Sequence, residues 1–152
     1  MSRIVVRGGS FEEIVENVSE EIKHQMESRS YRAANVLRNS ALEVLRGQRG
    51  GRRYRVPGKK TYYTASAPGE PPAARTGLFR ISWQPTAHKV FGSYISRIES
   101  DRRTDNGRFT LGDILENGTP GGQMAPRPHQ EKIQEHAEPK IFRIYDAPYF
   151  NE

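Results

Sequence analysis

Histidine and acidic side chains are the residues that most often support catalysis or bind a metal ion. The four histidines of this sequence are His24, His88, His129 and His136. Two of them, His129 and His136, have acidic neighbours, but they stand seven positions apart in a segment that is polar throughout. That pattern is typical of a solvated helix, and no pair of histidines has the spacing of a zinc site. We therefore expect no metal ion.

Other catalytic motifs are missing from the sequence. The stretch 118–122, Gly-Thr-Pro-Gly-Gly, is not followed by the Gly-Lys-Ser/Thr of a phosphate-binding loop. There is no Gly-x-Ser-x-Gly motif, and there is no cysteine for thiolate or disulfide chemistry. No acidic pair is marked out as belonging to a pocket. We therefore predict that the protein is not an enzyme and uses no cofactor.

A basic stretch over residues 46–60, RGQRGGRRYRVPGKK, is the clearest candidate for binding. It has seven basic residues and no acidic one. Tyrosines lie among and after these charges, and residues 52–64 are predicted to form a β-hairpin within a basic arm over 46–64. Three interpretations stay open: a solvated loop, a surface that docks on an acidic protein, and a DNA contact through phosphates and stacked bases. The candidate contact residues are Arg49, Arg52, Arg53, Arg55, Lys59 and Lys60.

The stretch that follows, ASAPGEPPAARTG at 65–77, is predicted to be a stiff loop. It holds three prolines and two glycines. Proline limits the conformational entropy that a loop loses when it becomes ordered, so such a loop can contact a neighbouring subunit while remaining rigid. The alternative is a connector within the chain, whose last three residues turn the backbone into a sheet. The candidate contact residues of the loop are Pro68, Glu70, Pro71, Pro72, Arg75, Thr76 and Gly77.

A long N-terminal helix must carry these segments. Ser10 and Glu13 have the spacing of a capping box, and apolar residues then recur at steps of three and four. No proline or glycine interrupts until Gly47. The pattern predicts one helix of about 36 residues and roughly 54 Å.

Charge along this predicted helix is divided. Glutamates crowd its first half, whereas Arg29, Arg32, Arg38 and Arg46 occupy the second. The helix macrodipole favours acidic residues near the N-terminal end and basic residues near the C-terminal end, so this distribution is consistent with an ordinary solvated helix face. The alternative is a bipolar rod that lies against a copy of itself. Glu12, Glu16 and Glu20 repel one another at i, i+4 spacing, and a basic surface from a neighbour would relieve that repulsion.

The rest of the chain predicts short elements. Strands are expected at 4–6, 60–66 and 89–100, and 81–84 is expected to be a strand or the end of a helical turn. Asn106-Gly107 predicts a turn, and a helix over 110–119 is expected to stop at Gly118. A polar helix over 129–138 is expected to end at Pro139, before an apolar tail that adds an edge strand or docks on a neighbour.

Composition fits a single domain that is completed by other chains. The 152 residues carry a net charge of +6, a mean hydropathy of −0.81 and a hydrophobic fraction of 34%. A chain with so few hydrophobic residues can bury only a small core, which favours assembly with partners. The excess of basic residues favours either binding to an anionic partner or solubility. No stretch approaches the roughly 20 apolar residues of a membrane helix, so we expect no membrane contact and a cytoplasmic site of synthesis.

Two parts of the sequence resemble signatures of a known family. Residues 67–83, APGEPPAARTGLFRISW, resemble a signature of Ala-Pro-Gly-Glu-Pro-Pro followed by Thr-Gly, a large apolar residue, Arg and Ser. Residues 115–119, LENGT, and 124–128, MAPRP, resemble a second signature, in which Glu-x-Gly-Thr precedes a Met-x-x-Arg-Pro turn. On these motifs the chain resembles the head–tail joining proteins of long-tailed bacteriophages, also called neck or tail-completion proteins (the gene-product-ten-like group).

The resemblance covers about residues 11–138 and implies a function. It implies an α+β unit in which a long N-terminal helix packs on a small antiparallel β-sheet, with short C-terminal helices. It also implies a ring-forming subunit, typically hexameric, whose partners are its own copies, connector or stopper proteins, tail-tube or sheath proteins, and the DNA that passes through the channel. The expected location is the head–tail junction of the virion, and the host cytoplasm during assembly.

The second signature adds residues to the expected subunit or partner interface. They are Glu116, Gly118, Thr119, Arg127 and Pro128. The sequence departs from the family pattern in three places: His129 stands where the family often has Phe, the arm over 46–64 is unusually basic, and residues 139–152 look like a C-terminal extension. A tail terminator, another connector or stopper ring, and a small DNA-binding protein acting through the arm stay open as alternatives.

Overall fold

The longest element is helix α1, Phe11–Val44, with 34 residues. The structure is a computed structural model that describes residues 11–150, with side chains from residue 16 onward. The predicted long helix is confirmed within this range, whereas the expected cap at Ser10 and the strand over 4–6 lie outside it. Apart from Arg29, the buried residues of α1 have small side chains, which let other elements approach the helix backbone closely. They are Ser30, Ala33, Ala34, Ser40 and Ala41.

The strands form two separate antiparallel hairpins. Strand β1, Arg53–Arg55, pairs with β2, Tyr62–Thr64, as predicted for the arm. Strand β3, Gln84–Val90, pairs with β4, Ser93–Glu99, and this second hairpin packs on α1. The strand predicted over 89–100 is interrupted by a reversal at 91–92, where both residues adopt the positive φ angles that a tight hairpin turn requires.

Two short helices lie between and after the hairpins. Helix α2, Leu78–Ile81, lies between the proline-rich loop and β3. The loop therefore leads into a short helix, and the first strand of the sheet follows that helix. Helix α3, Leu111–Asn117, ends at Gly118 as predicted. The expected turn at Asn106-Gly107 is present and is closed by a hydrogen bond from Thr104 N–H to the Phe109 carbonyl.

The last helix corrects two predictions. Helix α4 spans Gln130–Asp146 and runs through Pro139, so the expected helix end at this proline and the expected edge strand after it are both wrong. Proline interrupts a helix because it lacks an N–H and crowds the preceding turn. Here Pro139 lies on the exposed side, while Ile133 and Ala137 are buried on the other. Burial against α1 outweighs the local cost of the proline.

The hydrophobic core is small and lies between the C-terminal end of α1, α2, β4 and α4. Its buried members are Ala41, Leu45, Trp83 and Ile133, and Phe79 packs edge-on against Trp83 with 5.7 Å between ring centroids. The architecture is α+β, with a long N-terminal helix, two small antiparallel sheets and short C-terminal helices, which confirms the predicted fold class.

Arg29 binds the end of the chain to the middle of α1. It was expected on a basic helix surface, but its side chain is 1% exposed. Its guanidinium donates to the carbonyls of Tyr145 and Pro148, each at 2.8 Å, and lies 4.0 Å from the ring centroid of Tyr149. The apolar tail therefore docks on its own α1.

We expect Arg29→Met to destabilise the fold. The substitution removes two charge-assisted hydrogen bonds and leaves two carbonyls without them, so the free energy of unfolding should fall by roughly 3 kcal/mol. Arg32→Met, at an exposed position of the same helix, is the matched control and should stay within about 0.5 kcal/mol of the parent. Urea denaturation followed by circular dichroism measures both, and equal midpoints for the two variants would contradict this role for Arg29.

Candidate subunit interface

The two signature regions, distant in sequence, meet in one place. Gly69 N–H donates to the Pro126 carbonyl at 3.2 Å, and Arg127 Nε donates to Ser66 Oγ at 2.9 Å. Arg127 N–H also donates to the Leu115 carbonyl at 2.6 Å. These bonds join residues 65–77, 115–119 and 124–128 into a single unit, which we call the signature cluster.

Glu70 connects the signature cluster to the base of the arm. Its carboxylate accepts hydrogen bonds from Gly50 N–H at 2.9 Å and from Ala67 N–H at 2.8 Å. These two backbone donors, aided by the positive charges of Arg49 and Lys132, hold the pKa of Glu70 below its ordinary value of 4.5. Glu70 therefore binds as a carboxylate and orders the start of the arm.

Arg49 connects the signature cluster to the end of α1. Its Nε donates to the Pro71 carbonyl at 2.6 Å, and its Nη2 donates to the Val44 carbonyl at 2.8 Å. Burial lowers the pKa of this guanidinium from its ordinary value. One hydrogen bond of this side chain thus satisfies a free carbonyl in the last turn of the helix, and the other holds the proline-rich loop against the helix end.

The LENGT segment forms a tight loop that only glycine can begin. Thr119 Oγ1 accepts from Met124 N–H at 2.9 Å, and Thr119 N–H donates to the Met124 carbonyl at 3.1 Å. Gly118 has φ 80° and ψ 178°, a region almost confined to glycine. A Cβ atom there would lie 2.7 Å from the Met124 carbonyl oxygen. Gly118 therefore stops α3 and permits the close return of the chain.

Glu116 and His129 position the start of α4. One carboxylate oxygen of Glu116 accepts from the backbone N–H groups of His129 and Gln130, at 2.9 and 3.2 Å. An acidic group at this end of a helix is also favoured by the macrodipole. The His129 ring is fully buried, and its Nδ1 lies 2.9 Å from Glu116 Oε2 and 3.0 Å from the Arg127 carbonyl. His129 is thus a structural residue at the helix start.

A cleft borders the signature cluster on the side of α2. It has a volume of about 570 Å³, and Arg75, Thr76, Gly77 and Arg127 are among its lining residues. Thr76 Oγ1 accepts from Leu78 N–H at 3.3 Å, which helps to begin α2. Arg75 and Thr76 are exposed at the cleft edge, and Pro68 is exposed elsewhere on the loop.

The arm presents a cationic and aromatic face to solvent. In the β1–β2 register Tyr54 stands opposite Tyr63, which places Arg53, Arg55 and Tyr62 together on the other face. The Arg53 guanidinium lies 4.7 Å from the ring centroid of Tyr62, and Arg55 Nε donates to the Lys59 carbonyl at 2.9 Å. These three side chains and Thr64, which completes this face, are all exposed.

The candidate contact residues therefore divide into two sets. One set makes the contacts within the chain described above or is at least half-buried: Arg49, Glu70, Pro71, Pro72, Gly77, Glu116, Gly118, Thr119, Arg127 and Pro128. The other set is exposed and available to a partner: Arg52, Arg53, Arg55, Lys59, Lys60, Pro68, Arg75 and Thr76. The proline-rich loop is accordingly both an internal brace and an exposed edge.

Sequence reasoning missed one unusual surface residue. Phe91, in the turn between β3 and β4, is fully exposed and has φ 47°, a conformation that a bulky residue seldom adopts. The Phe-Gly pair between two strand-like runs is the signal that indicates such a turn. An exposed aromatic side chain held in an unfavourable conformation points to a contact surface.

No group of three histidine, cysteine, aspartate or glutamate side chains between residues 16 and 150 is placed to hold a metal ion. None of the helices described here has the length and apolar character needed to cross a membrane.

Comparison with known proteins returned no similarity on which to assign a family. The chain matches no protein-family model, no curated protein and no solved structure. The resemblance to phage head–tail joining proteins therefore rests on the two signature motifs.

We expect Gly118→Ala to destabilise the protein more than Gly122→Ala does. Both glycines have positive φ, so alanine at either costs at least about 1 kcal/mol from the backbone conformation, and more at Gly118, whose ψ of 178° is almost confined to glycine. Only at Gly118 does the new Cβ also collide with backbone, which should raise the loss to roughly 3 kcal/mol. Thermal unfolding of the two variants measures the difference, and equal losses would refute the close approach of Met124 to Gly118.

We expect Glu70→Gln to remove a pH-dependent part of the stability. A carboxylate with a lowered native pKa contributes stability that is complete above its ordinary pKa and is lost as pH falls through the lower native value. The variant should therefore unfold at a lower temperature near pH 7, and the gap to the parent should close below about pH 4. Glu135→Gln, at an exposed site, should show no such gap. A constant gap for Glu70→Gln across this pH range would contradict the proposed role of the charge.

Proposed function

We propose that this chain is a structural virion protein of a tailed bacteriophage, a subunit of a ring at the head–tail junction. The ring, hexameric by the family resemblance, joins the tail tube to the connector and leaves a channel for DNA. Its other partners are connector or stopper proteins and tail-tube or sheath proteins. The subunit is made in the host cytoplasm and ends in the neck of the virion.

The signature cluster is the observation that carries this proposal. Two motifs that resemble one family lie about 50 positions apart in the sequence, and they bond directly from Gly69 N–H to the Pro126 carbonyl, beside a bond from Arg127 to Ser66, which immediately precedes the first motif. Their most constrained members, Glu70 and Gly118, occupy positions where the geometry calls for those residue types. A chance match of two short motifs gives no reason for them to form one unit. The contact therefore supports a shared structural signature.

The distribution of surfaces also supports a ring subunit. The core is thin, and the arm and the β3–β4 turn expose aromatic side chains at separate places on the molecule. A closed ring uses heterologous contacts, so each subunit needs two different surfaces that fit one another. A monomeric protein has no such need.

The alternative function is DNA binding through the arm. The exposed face formed by Arg53, Arg55 and Tyr62 has the charge and the aromatic ring that bind phosphates and stack on bases. A monomer that binds DNA with a steep dependence on salt would favour this alternative. A connector or stopper ring elsewhere in the neck is the other candidate, and the virion phenotype separates it from a joining or terminating ring.

The deciding experiment removes the gene from the phage or prophage genome that encodes it. We expect lysates with unjoined, DNA-filled heads beside complete tails when viewed by electron microscopy, and recovery when the gene is supplied from a plasmid. Tails of excess length would assign a terminator role within the same junction. Normal infectious particles after removal would refute the structural role.

A further inference from the structure

The N-terminal part of α1 extends beyond the body of the molecule. The hydrogen bonds between the described part of this helix and later parts of the chain begin at Lys23, whose carbonyl accepts from Tyr94 Oη at 3.4 Å, and continue at Met26 and Arg29. From residue 16 to residue 24 every side chain is exposed except Val18, which is half-buried. Terminal helical turns with few tertiary contacts open more readily than packed ones, so a partner that covers this segment would stabilise it.

This segment is acidic. Between residues 16 and 28 there are four glutamates and a single lysine. Lys23 binds Glu20 at 3.0 Å, and that contact raises the pKa of Lys23, but the remaining glutamates have no comparable cation among the described side chains. We call the exposed set Glu16, Glu20, Glu21 and Glu27 the acidic end.

Apolar groups accompany the acidic end. Ile22 is 40% exposed on this part of the helix. Ser96 contacts Ser30 and Tyr94 contacts Lys23, so the N-terminal end of β4 lies nearer the N-terminus of α1 than its C-terminal end does. The turn that carries Phe91 precedes β4 and therefore lies toward the same end of the molecule. Acidic side chains beside exposed apolar side chains are typical of a protein-binding surface. Nucleic acid is repelled by the acidic groups and would leave the apolar groups uncovered.

The arm has the complementary pattern at the opposite end of the molecule. It offers Arg53 and Arg55 beside Tyr62, which is 56% exposed. On one strand face these arginines are about 6.6 Å apart, and Glu16 and Glu20 are about 6 Å apart along the helix axis. The two charge rows therefore match in sign and in spacing.

The arm cannot reach the acidic end of its own chain. The arm begins just after α1 ends, and Glu16 lies 28 residues before Val44, which is roughly 42 Å along a helix. The hairpin from β1 to the tip at Lys59 extends by only about 17 Å. Any contact between the two surfaces must therefore join two copies of the chain.

We propose that the arm of one copy binds the acidic end of α1 in the next copy, with Arg53 and Arg55 facing Glu16 and Glu20. Because the two surfaces are different and lie at opposite ends of the subunit, the contact is head-to-tail and repeats from copy to copy until the ring closes. This inference rests on the proposed ring and names the contact that builds it.

Charge reversal in two separate chains tests the contact. The arm variant carries Arg53→Glu and Arg55→Glu, and the helix variant carries Glu16→Lys and Glu20→Lys. We expect each variant to weaken assembly at least about 100-fold, since like charges then face each other. An equimolar mixture should assemble again with alternating subunits, which an even ring such as a hexamer accommodates. Native mass spectrometry reads the composition, and circular dichroism checks that each variant is folded.

Cross-linking provides a second measurement that does not depend on strong assembly. The chain has no cysteine, so Glu20→Cys with Arg55→Cys creates the only thiols. A short bismaleimide should give a ladder of covalent oligomers that ends at the ring number. Glu99→Cys with Arg55→Cys is the matched control, because Glu99 is exposed but lies outside the acidic end, and it should yield no ladder.

The outcomes separate this inference from the proposed function. If the arm variant assembles as the parent does and the Glu20–Arg55 pair gives no ladder, rings form through other surfaces and only the inference fails. If the arm variant keeps its rings but loses binding to a DNA duplex, the arm serves nucleic acid instead. If the unmodified chain stays monomeric and no cysteine pair yields a ladder, the ring fails, and the proposed function with it.

Discussion

Hydrogen bonds from arginine to backbone carbonyls are the interaction on which this fold depends. Arg29 holds the chain end, Arg38 binds the Trp83 carbonyl, Arg49 binds the proline-rich loop, and Arg80 binds the Leu42 carbonyl. Loops rich in proline and glycine leave many carbonyls without a partner in regular structure, and a buried carbonyl without a hydrogen bond is costly. Guanidinium groups meet this need because each offers several donors in a fixed geometry.

This use of arginine changes how the basic composition is interpreted. The net charge of +6 suggests a surface adapted to an anionic partner, yet several of the basic side chains are committed inside the fold. The densest run of exposed basic side chains lies in the arm, where Arg53 and Arg55 are exposed to solvent. The small apolar core, centred on Trp83, is thus supplemented by polar contacts.

Much of the local structure could be predicted because it depends on near neighbours in sequence. The apolar period of α1, the stop at Gly118 and the hairpin of the arm all follow from helical spacing, a positive φ and strand composition. The end of α4 could not be predicted in this way. The proline rule is local, whereas the burial of Ile133 and Ala137 against α1 is decided by residues about 100 positions away.

The sequence by itself determined the fold class, the elements that carry the motifs, and the motifs themselves, since periodicity and turn chemistry are encoded over a few residues. Only the tertiary structure decided what each candidate residue does. Arg49 and Arg53 look alike in one basic stretch, but one is folded inward onto the Val44 and Pro71 carbonyls and the other stacks on an exposed tyrosine. That difference arises because hydrogen-bond partners and solvent exposure are set by distant parts of the chain, which spacing along the sequence does not record.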